Sequence, residues 1–168
     1  MNAREWVGAL ILPAVLATST ASAAGLVTVG WIERVKLGAE GITVEAKLDT
    51  GALTSSLHAA DLRWSSRADG DWVEFDVIGA DGVHARFKRK VVRISRVKRA
   101  SGGVTERPVV LMGLCLGSHY RVTEVNLTDR SGFDYELLIG RRFLAHYFAV
   151  DSSRLYTVKA ACADNGKR

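Results

Sequence analysis

The sequence contains no His-Glu-x-x-His pair, no Gly-x-Ser-x-Gly turn and no Gly-x-x-x-x-Gly-Lys-Ser/Thr loop. These absences count against a zincin-type metal site, a serine hydrolase built on a nucleophile elbow, and a phosphate-cradling ATP site. Ser55, Ser56 and His58 lie close together but have no such elbow to hold them. The four histidines, His58, His84, His119 and His146, are scattered, none at a metal-ligand spacing, so neither metal nor cofactor is expected. Helical periodicity is almost missing, and no repeat, linker or low-complexity segment divides the chain. Cysteine is scarce: Cys115 and Cys162 form a disulfide or remain two free thiols, and their spacing leaves both open.

Long apolar runs are also lacking. The best, Trp6 to Ala17, is shorter than the roughly 20 residues a membrane-spanning helix needs. It follows Arg4 and precedes Ala21-Ser22-Ala23, the layout of a secretory signal peptide over residues 1–23 with cleavage near Ala23. An uncleaved anchor is the alternative. No cysteine follows closely enough for a lipid anchor. Residues 24–168 then form a single domain, periplasmic or secreted, without an integral membrane span. The net charge of +5 survives removal of the leader, because Arg4 and Glu5 cancel. Lys and Arg cluster in Arg86–Lys90 and Arg93–Arg99, interleaved with Val91, Val92, Ile94 and Val97. That pattern fits a solvated strand face; attraction to an acidic polymer or substrate is the functional alternative. Nucleic acid is not an expected partner outside the cytoplasm.

What is present is β-rich. Ile42, Val44, Ala46 and Leu48 alternate with polar residues and predict a strand with one core-facing side. Residues 26–37, 72–78, 83–94, 104–111 and 119–127 read as further strands, and short ones are expected near 148–150 and 154–158. Gly79–Gly82 and Ser101–Gly103 are hairpin signals, whereas Ser65–Asp71 is polar and turn-like. Pro108 predicts an edge strand or a bulge. Ser56–Leu62 fits one helical turn or a short strand, and Arg141–Tyr147 is the one convincing helix. The sum is an all-β closed or half-open barrel with one short C-terminal helix.

The Ile42–Leu48 strand runs directly into Asp49-Thr50-Gly51-Ala52. A carboxylate at a strand end is aimed by a rigid element, and a glycine two residues on lets a backbone or substrate approach closely. Downstream, Leu138-Ile139-Gly140-Arg141 opens the helix. Together with Thr54–Ala59, Arg107–Val109 and Leu127–Arg130, these segments resemble a bacterial family of retropepsin-like aspartic endopeptidases, which also carries the older label of ATP-dependent zinc protease. The resemblance extends from about Val29 to Asp151. It implies a retropepsin-like (acid protease) fold, a catalytic Asp49, a Thr50 that bonds across a dimer, a Gly51 that lines the cleft, and structural support from Ile139, Gly140 and Arg141. Ala52 is a candidate substrate contact. Arg141 or Arg142 braces the dimer, the Asp49 loop or Asp129, or is simply solvated. The zinc and ATP of the older label find no matching residues.

Hydrolysis by aspartate and water needs two carboxylates sharing a proton. The chain holds one Asp-Thr-Gly: Asp81-Gly82 lacks the hydroxyl residue and Asp151-Ser152-Ser153 lacks the glycine. A homodimer that places Asp49 against its own copy supplies the second. The expected partners are therefore a second copy of the chain and a peptide or protein substrate. A flap is also required; the Gly79–Gly82 hairpin is favoured over Ser101–Gly103 from its order in the chain. The rival expectation is a catalytically silent binding or regulatory module of the same fold.

Overall fold

The computed structural model describes residues 25–38, 40–98 and 102–162. The signal-peptide expectation falls on residues 1–23 and lies outside the described residues, as does Ser101 of the second hairpin tip. The elements are β1 (Val27–Leu37), β2 (Ile42–Leu48), β3 (Ser55–His58), β4 (Ala60–Arg67), β5 (Gly70–Ile78), β6 (His84–Lys98), β7 (Val104–Leu116), β8 (His119–Thr128), β9 (Leu137–Ile139), α1 (Arg141–Leu144) and β10 (Phe148–Leu155). They make one sheet in the order β10-β1-β2-β9-β3-β8-β7-β6-β5-β4. A further antiparallel contact, Lys36 with Cys115 and Leu37 with Leu114, joins β1 to β7 and closes β1, β2, β9, β3, β8 and β7 into a ring. The all-β expectation holds.

The ring closes because one side of each strand is apolar. Ile42, Val44, Ala46 and Leu48 of β2 are all buried, as their alternation predicts, and they meet Leu57, Val110, Leu114, Val125, Leu127, Leu137 and Ile139. Beyond the ring, β4, β5 and β6 form a wing of consecutive hairpins. Val73, Phe75, Val77 and Phe87 fill its inner side, the two phenylalanines stacked at 5.5 Å. On its other side the charges pair across strands, Arg86 with Asp76 and Lys88 with Glu74. The basic cluster of Arg86–Lys90 is thus a solvated strand face with its own counter-ions.

Four details refine or correct the expectation. Of the two readings of Ser56–Leu62 the strand holds, split between β3 and β4 with Asp61 at φ 48°. The polar stretch Ser65–Asp71 is a hairpin, turning at residues 68–69 between the end of β4 and the start of β5; Ser65–Arg67 are wet on both faces and therefore give no alternation signal. Of the two readings of Pro108 the edge strand fails, since β7 is flanked by β6 and β8, while the β6–β7 ladder does shift register beside it, between Val91 and Arg93 opposite Val110 and Val109. The proline is tolerated because the β8 ladder begins only at Val109, so Pro108 has a paired strand on one side. Finally, α1 is one turn, not the longer helix to Tyr147: Ala145 turns to ψ 137° and His146 to φ 72°.

Cys115 and Cys162 are bonded, with a Cα–Cα distance of 5.9 Å. The bond pins the C-terminal segment to the strand that closes the ring. A second fastening is Glu33, fully buried on β1, whose carboxylate accepts from the Gly30 and Thr157 amides at 2.7 and 2.8 Å and from the Thr157 hydroxyl. A buried carboxylate is tolerated only when hydrogen-bonded in this way.

Candidate active site

β2 delivers Asp49. Its parallel ladder with β9 pairs Leu48 with Ile139, and the Asp49 amide extends it by donating to the Ile139 carbonyl at 2.8 Å. The chain then turns through the carboxylate itself. Asp49 Oδ1 accepts from the Gly51 amide at 2.8 Å and the Ala52 amide at 3.1 Å, so the side chain's direction is fixed by backbone two and three residues on. Oδ2 has no hydrogen-bond partner among the described residues. Gly51 leaves the carboxylate room: a Cβ there would lie 3.1 Å from Oδ1, so that the Asp49 side chain would have to give by a few tenths of an ångström.

The loop rests on α1. Arg141 donates through Nη1 to the Thr50 and Gly51 carbonyls at 3.1 and 2.8 Å. The Arg141 and Arg142 amides donate to the carbonyls of Ala52 and Leu53 at 2.8 and 3.1 Å. These donors are the first amides of the helix, which have no partner inside it. Of the expected roles for the arginine pair, Arg141 braces the Asp49 loop, while Arg142 pairs with Glu124 at 3.0 Å. Arg93, bonded to the same carboxylate, holds Glu124 below its ordinary titration range. Gly140 gives the close approach: a Cβ on it would sit 2.7 Å from the carbonyl carbon and oxygen of Thr54. Its amide donates to the hydroxyl of Ser55, a buried side chain.

Replacing Gly140 by Ala should therefore force α1 away from the loop. The atoms it would strike are backbone and cannot rotate aside. The expected cost is about 2 kcal/mol, in the range for overpacking a tight contact, read as a lower urea midpoint with an unchanged slope.

Both backbone polar groups of Ala52 are used inside the loop, which leaves its methyl group as the part available to a substrate. Thr50, Gly51 and Leu53 are exposed, and the Thr50 hydroxyl has no hydrogen bond among the described residues. A shallow cleft beside Asp49 is lined by Trp31, Lys47, Leu48, Thr50, Val150 and Ser152. None of the described residues brings a second carboxylate into hydrogen-bond contact with Asp49. Among the described residues no three His, Cys, Asp or Glu side chains converge as a metal site. His58 instead accepts from the Arg130 amide at 2.8 Å, and His119 packs edge-on against Tyr147 and Phe148.

Residues 28–161 match the RimB-like family, described as the retropepsin-like aspartic endopeptidase RimB. The chain belongs to that family. Curated relatives include a probable alpha-L-glutamate ligase of Shewanella halifaxensis, 30% identical over 116 residues, which are 67% of this chain and 25% of the ligase. A probable alpha-L-glutamate ligase of Parasynechococcus marenigrum is 32% identical over 111 residues, 64% of this chain and 24% of that protein. The chain thus spans about a quarter of the length of the curated relatives it matches. The crystal structure of Lpg0085 from Legionella pneumophila, a protein of unknown function (DUF785), is similar at TM-score 0.66 and 34% identity, covering 79% of this chain and 98% of that one.

Within this RimB-like domain the structure adds side chains that sequence reasoning gave no role. Ser55 ties β3 to Gly140. Arg130 is buried on the opposite side of β3, donating to the Ser56 hydroxyl and the Tyr135 carbonyl, each at 3.0 Å. Burial lowers the Arg130 guanidinium from its usual value, with the Arg107 charge acting in the same direction. Two buried serines in a row, Ser55 and Ser56, were the available signal; their partners are over 70 residues away in sequence.

The Gly79–Gly82 tip is pinned rather than poised. The Ala80 amide donates to the Thr43 carbonyl at 2.8 Å, near the start of β2, while Asp49 follows its other end. That geometry disfavours the hairpin preferred from chain order.

Proposed function

We propose that the chain is an exported, homodimeric aspartic endopeptidase, with Asp49 from each copy forming the catalytic pair. One observation carries this: a half-buried carboxylate on a loop fixed by its own amides and by α1, with exposed neighbours and no second carboxylate in hydrogen-bond contact with it among the described residues. Family membership supports the same assignment. Across a two-fold axis the two Asp49 side chains share one proton, because like charges in contact cannot both ionise. The ionised member takes a proton from water, and the water oxygen adds to the peptide carbonyl. The protonated member supports the oxygen on which charge develops, and a proton passes to the leaving amine as the carbon–nitrogen bond breaks. The exposed Thr50 hydroxyl would bond to the partner loop.

The substrate part of the proposal is an acidic peptide. The curated relatives are named as glutamate ligases, and the chain is basic overall. Residues 1–23 would direct it to the periplasm or the outside. Assaying a broad peptide library at acid and neutral pH with wild type and Asp49→Asn is the test: cleavage that needs Asp49 supports the assignment, and equal cleavage by both removes it. The second assignment, a silent regulatory module, draws on the same ligase relatives, in which the matched region is about a quarter of the chain. It predicts no Asp49-dependent cleavage at any pH.

A further inference from the structure

The segment that follows β10 spans a gap in the ring. β1 pairs with β10 as far as Ile32 and with β7 only from Lys36. Residues 156–162 join the two, bonded to β1 at Ile32 and Glu33 and to the end of β7 at Cys115 and Gly117. The Tyr156 amide donates to the Ile32 carbonyl, those of Thr157 and Val158 to the Glu33 carboxylate, that of Ala161 to the Gly117 carbonyl, and that of Cys162 to the Cys115 sulfur. The Lys159 and Ala160 amides are the exception. Neither donates to an acceptor among the described residues, although Ala160 is only 7% exposed. Amides so placed take water or a ligand as their acceptor.

These two residues line a recess of about 540 Å³ on the outer face of the sheet. Arg34 and Lys36 alternate outward from β1, and Thr43 stands opposite Lys36 on β2. With Lys159 the recess carries three cations, and no Asp or Glu is among its lining residues. Two other recesses differ: the Asp49 cleft sets Lys47 beside an acid, and the recess at Gly79 is lined by Glu45, Asp134 and Glu136. Glu45 takes up part of the Arg34 charge at 4.0 Å while accepting from the Tyr156 hydroxyl, so the two lysines supply most of the field. Glu33 is fully buried behind the segment and bonded to its amides. The Tyr156 ring, with the Arg34 guanidinium 5.1 Å from its centre, and Val158 add an apolar wall.

We propose that this recess binds a phosphate monoester of a small soluble molecule. Lys36, Lys159 and the Lys159 and Ala160 amides hold the phosphate group, and the organic part lies against Tyr156 and Val158. A phosphate monoester brings close to two negative charges and three acceptor oxygens. A carboxylate brings one charge and two oxygens, too few for two ammonium groups, two amides and the Thr43 hydroxyl. Adjacent backbone amides beside lysines are a recurrent phosphate cradle, and the volume leaves room for the rest of a small molecule. The recess shares no lining residue with the Asp49 cleft, so the site stands whether or not the chain cleaves peptides.

The test titrates the full chain with glycerol phosphate at low, fixed salt, followed by calorimetry and by amide NMR spectra. Saturable binding is expected, with the Lys159 and Ala160 resonances moving and those of Gly51 and Ala52 unmoved. Lys36→Ala combined with Lys159→Ala should weaken binding by at least about tenfold. The melting temperature should not change, since neither ammonium makes a hydrogen bond or ion pair among the described residues. Asp49→Asn should bind as wild type does. Triglutamate, added to Asp49→Asn so that it stays intact, should leave the Lys159 and Ala160 resonances in place. Absence of saturable binding, equal affinity in the double lysine variant, or triglutamate moving the same two resonances would overturn the inference. Lysine-dependent sedimentation with phosphatidic acid vesicles, by a chain that does not bind glycerol phosphate, would assign the recess to a membrane surface and overturn it as well.

Discussion

Replacing Asp49 by Asn is expected to lower peptide cleavage by at least about a thousandfold while leaving the fold intact. The amide oxygen of Asn can still accept from the Gly51 and Ala52 amides that now bind Asp49 Oδ1, so the loop keeps its shape. What disappears is the shared proton: a pair of amides can neither take a proton from water nor hold one for the carbonyl. Thermal melting of the variant should match wild type, and the loss should appear in kcat with little change in peptide binding. Full activity in a chelator is expected alongside, since the chemistry described runs through Asp49 and water alone. A variant that keeps wild-type kcat would show that Asp49 is an ordinary turn residue.

The largest stability effect is expected from the disulfide. Cys115 lies on β7 at the point where it pairs with Lys36 of β1 and closes the ring, and Cys162 is 47 residues later. On chain-entropy grounds a cross-link closing a loop of that size stabilises the fold by about 4 kcal/mol. The double variant Cys115→Ala, Cys162→Ala should lose most of that in urea denaturation, and a dithiol reductant should destabilise wild type by a similar amount while leaving the variant unmoved. Two titratable thiols in the unfolded, unreduced protein would contradict the bond. The cross-link fits a protein that works in an oxidising compartment, where such bonds persist.

The parts of this fold that were legible in the sequence are those whose information is local. Ile42–Leu48 alternates because one face of β2 meets the core, and the strand runs into Asp49 where the alternation stops. Gly140 could be singled out because it opens the helix after an apolar pair, although the reason for it, the Thr54 backbone beneath, is visible only in three dimensions. The end of β4, Ser65–Arg67, is wet on both faces and carries no period, Pro108 escapes its edge rule through where the β8 ladder starts, and α1 stops early at Ala145. Neither the Arg130–Ser56 bond nor the pinning of Ala80 to Thr43 has a sequence period to betray it, because each joins segments distant in the chain. The disulfide was undecidable from spacing and is settled by the proximity of β7 to the C-terminal segment.

The claim that matters most is that catalysis needs a carboxylate from each of two chains. It is tested most directly by mixing wild type with Asp49→Asn under conditions that let subunits exchange, and measuring cleavage per wild-type chain. Random pairing of equivalent subunits predicts a fall to about one half at equal amounts and about one tenth at a ninefold excess of the variant. Activity per wild-type chain that stays constant across the titration would mean that one copy suffices, and the two-chain active site would be wrong.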